Sequence, residues 1–123
     1  MVELKVLPRW EDARGSLVAV EKIPFDVKRV FWVYDMDTWR GGHAHETCKQ
    51  MLIAVHGRVL VKAGEWAGWL SDPHMGLYVP PGNMIDFYGP SAVLLVLCSD
   101  YYSNDYVPRK GTRNMEEVCT CAS

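Results

Sequence analysis

The chain has 123 residues, of which 49% are hydrophobic, and a formal net charge of -2 at pH 7. This length suffices for one domain that buries roughly two-thirds of its unfolded surface without a disulfide framework. Acidic and basic residues are interspersed, which excludes the extended basic surface that nucleic-acid binding requires. Any anionic partner must therefore be small and bound locally.

Short β-rich runs follow one another along the chain, separated by Gly, Pro and Asp, and no segment has a sustained helical period. Many short strands without βαβ spacing predict an all-β antiparallel sandwich or barrel, and a jelly roll of this kind can enclose a small-ligand cavity. We expect one domain over residues 1–123, with 107–123 as an irregular tail or short helix. The predicted strands are Leu4–Leu7, Ser16–Glu21, Arg29–Tyr34, Gln50–Val55, Arg58–Ala63, Glu65–Leu70, Gly76–Val79, Met84–Phe87 and Ala92–Cys98.

Two of these runs, residues 50–55 and 92–97, are almost continuously apolar. Such runs predict strands that are covered on both faces. Between them, Pro80-Pro81-Gly82 predicts a turn at which the chain leaves its sheet, because proline cannot donate a ladder hydrogen bond. Similarly, His56 before Gly57 indicates a hairpin with an exposed histidine.

The sequence contains no run as long as a transmembrane helix, and its first residues lack the apolar core of a secretion signal. The four cysteines are scattered, which suits reduced thiols in a reducing compartment. We therefore expect a cytoplasmic protein that does not bind membranes. The cysteines are Cys48, Cys98, Cys119 and Cys121.

The most informative motif is Arg40-Gly41-Gly42-His43-Ala44-His45. Residues i and i+2 of a strand point to the same side, so His43 and His45 share a face. Paired imidazoles over a cavity can hold a metal ion or transfer protons. The structural alternative is that both histidines are packed core residues.

The spacing of His43, His45, position 50 and Gly57, followed by Pro80-x-Gly82 and position 85, resembles the two signature motifs of the cupin jelly-roll superfamily. In metal-binding cupins these motifs supply His, His, Glu and a further His. Here the last two positions are Gln50 and Ile85. Two imidazoles and an amide are a poor ligand set for a transition metal, so we expect no metal and proton transfer instead.

A narrower resemblance covers residues 12 to about 106. Its elements look like the family of nucleoside-diphosphate-sugar 3,4-ketoisomerases (WxcM-like). The resemblance implies a cupin jelly roll, or double-stranded β-helix, that converts dTDP-4-keto-6-deoxyglucose to a dTDP-3-keto-6-deoxyhexose without a cofactor. It also implies a homodimer, often with strands exchanged between subunits. The matching elements are Asp12-x-Arg14-Gly15, Ile23-Pro24-Phe25, Lys28-Arg29-Val30, the Arg40–His45 motif, Gln50, Gly76-Leu77-Tyr78, Leu94–Leu97 and Asn104-Asp105-Tyr106.

Moving a carbonyl from C4 to C3 requires a base for the C3 hydrogen, a proton shuttle and donors for the enediolate oxygen. By the resemblance, His45 is the base and His43 is its acid–base partner. The titrations of two adjacent imidazoles are coupled, so their apparent pKa values belong to the pair and not to either residue.

Four further side chains are candidates for the site. Arg40 and Arg14 offer guanidinium forks for pyrophosphate, although Arg14 could instead brace a turn through Asp12. Tyr34 could donate its hydroxyl to the enediolate or complete the core as an edge aromatic. Gln50 could bind a sugar hydroxyl or orient a histidine, and as a buried amide it requires a partner.

The chain departs from the family pattern at Asn83-Met84, where a tryptophan is common, and at the short turn 62–66. These departures bear on substrate identity more than on fold. Three alternatives therefore stay open: a metal-dependent small cupin oxygenase or isomerase, a non-catalytic sugar-nucleotide binding module, and a 3,5-epimerase acting on the same substrate. The sequence does not decide the C4 stereochemistry of the product.

Overall fold

Strands and turns make up the residues that the computed structural model describes, which are 1–102 and 106–108, and none of these residues is helical. Each predicted strand is present, with ends shifted by no more than three residues. None of the described residues forms a helix long and apolar enough to cross a bilayer. The strands are β1 (Glu3–Val6), β2 (Arg9–Asp12), β3 (Gly15–Val18), β4 (Arg29–Val33), β5 (Arg40–His45), β6 (Gln50–His56), β7 (Val59–Ala63), β8 (Trp66–Leu70), β9 (Met75–Val79), β10 (Ile85–Tyr88), β11 (Val93–Cys98) and β12 (Tyr106–Pro108).

Two five-stranded antiparallel sheets form the body of the protein. The first sheet has the order β1-β9-β6-β11-β4, and the second has the order β12-β5-β10-β7-β8. The chain repeatedly crosses from one sheet to the other, as it does from β5 to β6 to β7 and from β9 to β10 to β11. This alternation is the double-layered jelly roll, so the predicted all-β fold is confirmed.

The central strands of the first sheet, β6 and β11, are covered on both faces, as their apolar runs predict. Alternate residues of the two strands face the second sheet and pack in the main core. The residues between them, such as Met51 and Ile53, are at most 1% exposed and lie under the segment that carries Val20 and Phe25. Burying each such side chain contributes about 1.5–3 kcal/mol to folding.

The Pro80-Pro81-Gly82 segment ends the pairing of β9 and sends the chain to the other sheet, as predicted. Its Gly82 N–H donates a hydrogen bond of 2.7 Å to the carbonyl of His45. This hydrogen bond therefore holds the turn against the end of β5, the strand that carries His43 and His45.

Two predictions about connections are wrong. His56 and Gly57 do not form a hairpin, because β6 lies in the first sheet and β7 in the second; His56 is nevertheless exposed. Residues 107 and 108 belong to β12, which pairs with β5, rather than to an irregular tail. The rest of the predicted tail, 109–123, lies outside the described residues.

Candidate active site

A β-bulge in β5 sets the direction of its side chains. Ile85 lies opposite His43, and Phe87 lies opposite Arg40. Three positions separate the two β5 residues but only two separate their β10 partners, so β5 contains one extra residue at Gly41-Gly42. Both glycines have positive φ, +110° and +87°. Directly opposite residues of paired strands share a face, so the bulge puts Arg40 on the same face as His43. Simple alternation would put the two residues on opposite faces.

His43 and His45 form a buried pair on this strand. Their side chains are 5% and 8% exposed. The ring centroids are 4.9 Å apart and the planes meet at 81°, an edge-to-face contact. The two imidazoles are therefore in direct contact, and one ligand can meet both rings.

Gln50, the first residue of β6, reaches the histidines from the opposite sheet. It is 6% exposed. Its Nε2 lies 3.5 Å from Nε2 of His45 and 3.6 Å from Sγ of Cys98. The amide nitrogen therefore lies within hydrogen-bonding reach of both the His45 ring and the Cys98 sulfur. The partner that a buried amide requires is therefore present.

The space beneath these side chains is narrow. Its free volume is about 10 Å³, close to the least that holds one water molecule. This space is smaller than a sugar ring. The lining residues are Phe31, Gly41, His43, Gln50, Leu52, Ile85, Phe87 and Val96.

The donor set does not fit a resident metal ion. Ile85 lies directly opposite His43, so an apolar side chain occupies the position of a metal-binding cupin's final histidine. Gln50 contributes an amide where such cupins have a carboxylate. Among residues 1–102, no three His, Cys, Asp or Glu side chains are grouped so that they could hold a metal ion.

Tyr34 is not part of this pocket. It follows β4 at the end where Val33 lies opposite Leu94, whereas Gln50 lies opposite Cys98 at the other end of the same sheet. The side chain is 59% exposed and lines a separate open cleft of about 590 Å³. Strand alternation turns Tyr34 outward, so the single chain gives no support to the prediction that its hydroxyl reaches the intermediate.

Arg14 also lies apart, in the turn of the β2–β3 hairpin. Its backbone N–H donates to Asp12 Oδ1 at 2.8 Å, and its guanidinium is paired with the same carboxylate. The Arg14 hydrogen bonds lower the pKa of Asp12, and the Asp12 carboxylate raises the pKa of Arg14. The Arg14 side chain is 91% exposed. In the single chain, Arg14 therefore braces the turn, the alternative that the sequence left open.

Comparison with known proteins identifies the family. A family model described as "FdtA: WxcM-like, C-terminal" matches residues 1–116. The chain belongs to this family. A TDP-4-oxo-6-deoxy-alpha-D-glucose-3,4-oxoisomerase from Aneurinibacillus thermoaerophilus is 41% identical to this WxcM-like chain, over 78% of each protein.

Solved structures of 3,4-ketoisomerases share the fold of this WxcM-like chain. One from Helicobacter canadensis has a TM-score of 0.81 and 30% identity, over 98% of this chain and 96% of that one. Another is a histidine-to-asparagine mutant of QdtA from Thermoanaerobacterium thermosaccharolyticum, in complex with TDP-4-keto-6-deoxyglucose. It has a TM-score of 0.75 and 32% identity, over 98% of this chain and 93% of that one. The predicted family and the prediction of an isomerase are confirmed.

Sequence reasoning missed two features of this WxcM-like site. Phe31, rather than Tyr34, is the β4 aromatic that lines the pocket, and it carries no hydroxyl. The signal was present, since Phe31 and Val33 alternate with the outward Trp32. The contact of Cys98 with Gln50 had no local signal, because 48 positions separate the two residues.

Proposed function

We propose that this chain is a 3,4-ketoisomerase that converts dTDP-4-keto-6-deoxyglucose to a dTDP-3-keto-6-deoxyhexose. The observation that carries the proposal is the buried pair of His43 and His45 on one strand face, with Gln50 against the second ring. Family membership supports the reaction class. The substrate is supported by the activity of the 41% identical relative, a TDP-4-oxo-6-deoxy-alpha-D-glucose-3,4-oxoisomerase, and by the sugar nucleotide bound to the QdtA variant.

In the proposed mechanism, His45 accepts the C3 hydrogen, which the neighbouring C4 ketone makes acidic. The resulting enediolate is reprotonated at C4, and His43 transfers the proton between the two oxygens. Imidazoles suit both steps because their ordinary pKa lies near neutral pH. Gln50 keeps His45 in a fixed orientation, and no step passes through a metal ion.

Arg40 is proposed to bind the pyrophosphate. Its position opposite Phe87 gives it the same face as His43, so one ligand at the barrel mouth could contact both. A guanidinium remains charged at any working pH and offers paired donors to phosphate oxygens. Arg14 has no comparable support within its own chain.

The test is proton NMR of dTDP-4-keto-6-deoxyglucose in deuterium oxide, following exchange at C3 and the appearance of the 3-keto product. Wild type should catalyse both, and His45→Asn should lower the rate at least about a hundredfold, since general-base catalysis contributes about 10²–10⁴-fold. His56→Asn is the matched control, because His56 is exposed at the far end of β6. Epimerisation at C5 in place of a 3-keto product would reject the ketoisomerase.

A binding module without turnover is the second candidate, and the departure from the family pattern at Asn83-Met84 is the observation that favours it. A module of this kind would be stabilised thermally by TDP or the keto sugar, as any ligand of the native state does. It would nevertheless leave the C3 hydrogen in place. The same NMR samples therefore separate the two functions.

We also propose a cytoplasmic homodimer. The β2–β3 hairpin forms its own two-stranded sheet, separate from both larger sheets. Trp10 and Leu17 on it are 56% and 59% exposed, as are Tyr34 and Trp32 on the first sheet at 59% each. A second copy that exchanges this hairpin would cover such apolar surface. Free thiols at Cys48 and Cys98 suit the reducing cytoplasm.

A further inference from the structure

The turn between β9 and β10 lies against the end of β5 that carries His45. It begins with Pro80 and Pro81, which have no backbone N–H, so Gly82 holds the one backbone N–H of these three residues. Gly82 donates that N–H to the carbonyl of His45 at 2.7 Å. No backbone N–H of residues 80–82 is therefore left to close the turn itself.

The side chain of Asn83 supplies this closure. Its Nδ2 donates a hydrogen bond of 3.0 Å to the carbonyl of Pro80 and lies 3.5 Å from the carbonyl of Pro81. We propose that Asn83 is a positioning residue for the histidine site: its amide fixes the turn and, through the N–H of Gly82, the backbone of His45. The effect on turnover rests on the proposed function, whereas the effect on the turn does not.

The β7–β8 hairpin contacts the other side of the Asn83 amide. Gly64 lies at the hairpin tip with a φ of +60°, and a Cβ at this position would overlap Oδ1 of Asn83. The N–H of Gly64 donates to the carbonyl of Met84 at 2.9 Å. The amide therefore touches the turn through its nitrogen and the hairpin tip through its oxygen, and it is half-buried between them.

His45 is held at two points, and Asn83 acts on one of them. Gln50 reaches the ring from the first sheet, with Nε2 of the amide 3.5 Å from Nε2 of the imidazole. The turn holds the carbonyl of His45 from the second point. If the turn loses its closure, the backbone of His45 moves relative to Gln50. Misplacing a catalytic group by about 1 Å can lower the rate about a hundredfold.

The first experiment compares the full-length Asn83→Asp variant with wild type. Aspartate keeps the size of the side chain but removes its N–H donors, and its carboxylate repels the two carbonyls. We expect kcat to fall about tenfold with KM within about twofold of wild type, because the change acts on the base and not on substrate binding. In proton NMR, the amide of Gly82 should exchange faster with solvent and the imidazole signals of His45 should shift. Neither signal requires turnover.

Gly64→Ala tests the same contact from the hairpin, should the charge of Asn83→Asp disturb the fold. The added methyl group displaces the Asn83 amide, so kcat should again fall about tenfold. In an Asn83→Ala background the methyl has no amide to displace, and Gly64→Ala should then change kcat by less than about twofold. Gly57→Ala is the matched control, because Gly57 has a similar φ of +69° but precedes the other end of β7. Its kcat should equal that of wild type.

Equal losses of kcat from Gly64→Ala with and without Asn83 would overturn the proposal, because the loss would then come from backbone strain at the hairpin tip. Wild-type exchange of the Gly82 amide in Asn83→Asp would overturn it as well, as would His45 signals that stay in place. A wild-type protein that turns over no keto sugar, while these signals respond as expected in the variant, would count against the proposed function alone.

Discussion

At the scale of single residues, Gln50 links the histidine pair to a buried thiol. Its amide contacts His45 on one side and Cys98 on the other. The sequence identified Gln50 as the residue that replaces a metal ligand and required a partner for it. Which partner it has depends on a ladder between strands that lie far apart in sequence.

Replacing Gln50 should separate its orienting role from a purely structural one. Gln50→Leu removes the donor at similar volume, and we expect kcat to fall about tenfold with KM nearly unchanged, since one hydrogen bond contributes about 0.5–1.5 kcal/mol. Gln50→Glu puts a carboxylate beside His45 and stabilises its imidazolium form, so the acidic limb of the kcat–pH profile should move to higher pH. An unchanged profile in Gln50→Glu would contradict the orienting role.

At the scale of the element, the bulge in β5 determines which side chains meet at the site. A regular strand would put Arg40 and His43, three residues apart, on opposite faces. The extra residue at Gly41-Gly42 reverses that relationship. The sequence shows both glycines, but the register of β10 is needed to reveal that they form a bulge.

Gly41→Ala should destabilise the fold more than Gly82→Ala. Both glycines have positive φ, +110° and +87°, which costs an L-residue about 1–2 kcal/mol. A Cβ at Gly41 would also lie 2.2 Å from the Ile85 carbonyl oxygen, whereas one at Gly82 would meet nothing within 4 Å. We expect a loss of about 3 kcal/mol or more for the first variant and about 1 kcal/mol for the second, measured by urea unfolding. Equal losses of stability in the two variants would mean that β10 moves away from a Cβ at position 41 at no cost in free energy.

At the scale of the whole molecule, the exposed apolar surface is concentrated on the first sheet and the hairpin. Val30, Trp32 and Tyr34 alternate outward along the edge strand β4 and its end, each at least 47% exposed. An exposed apolar edge of this kind promotes aggregation of a monomer. We therefore expect a second copy of the chain to cover it.

Trp32→Glu should therefore convert a dimer to a monomer. Light scattering after size exclusion should give twice 14.0 kDa for wild type and 14.0 kDa for the variant, because a charge buried in an apolar interface is strongly unfavourable. Trp69→Glu is the matched control: Trp69 is 48% exposed on the second sheet and contacts Arg58. Its mass should remain that of the dimer. A wild-type mass of one chain would reject the interface.

Local patterns in the chain were sufficient to predict the strands, the two doubly covered apolar runs and the shared face of His43 and His45. These features follow from the two-residue period of a strand and from the composition of neighbouring positions, so they are readable without knowing which strands pair.

The tertiary structure alone decided that Arg40 joins the histidine face, that Tyr34 and Arg14 do not reach the pocket of their own chain, and that Cys98 meets Gln50. Each of these outcomes depends on register and on pairing between distant segments. A shift of one residue sends every side chain of a strand to the other face, and nothing within the strand's own sequence records which partner fixes that register.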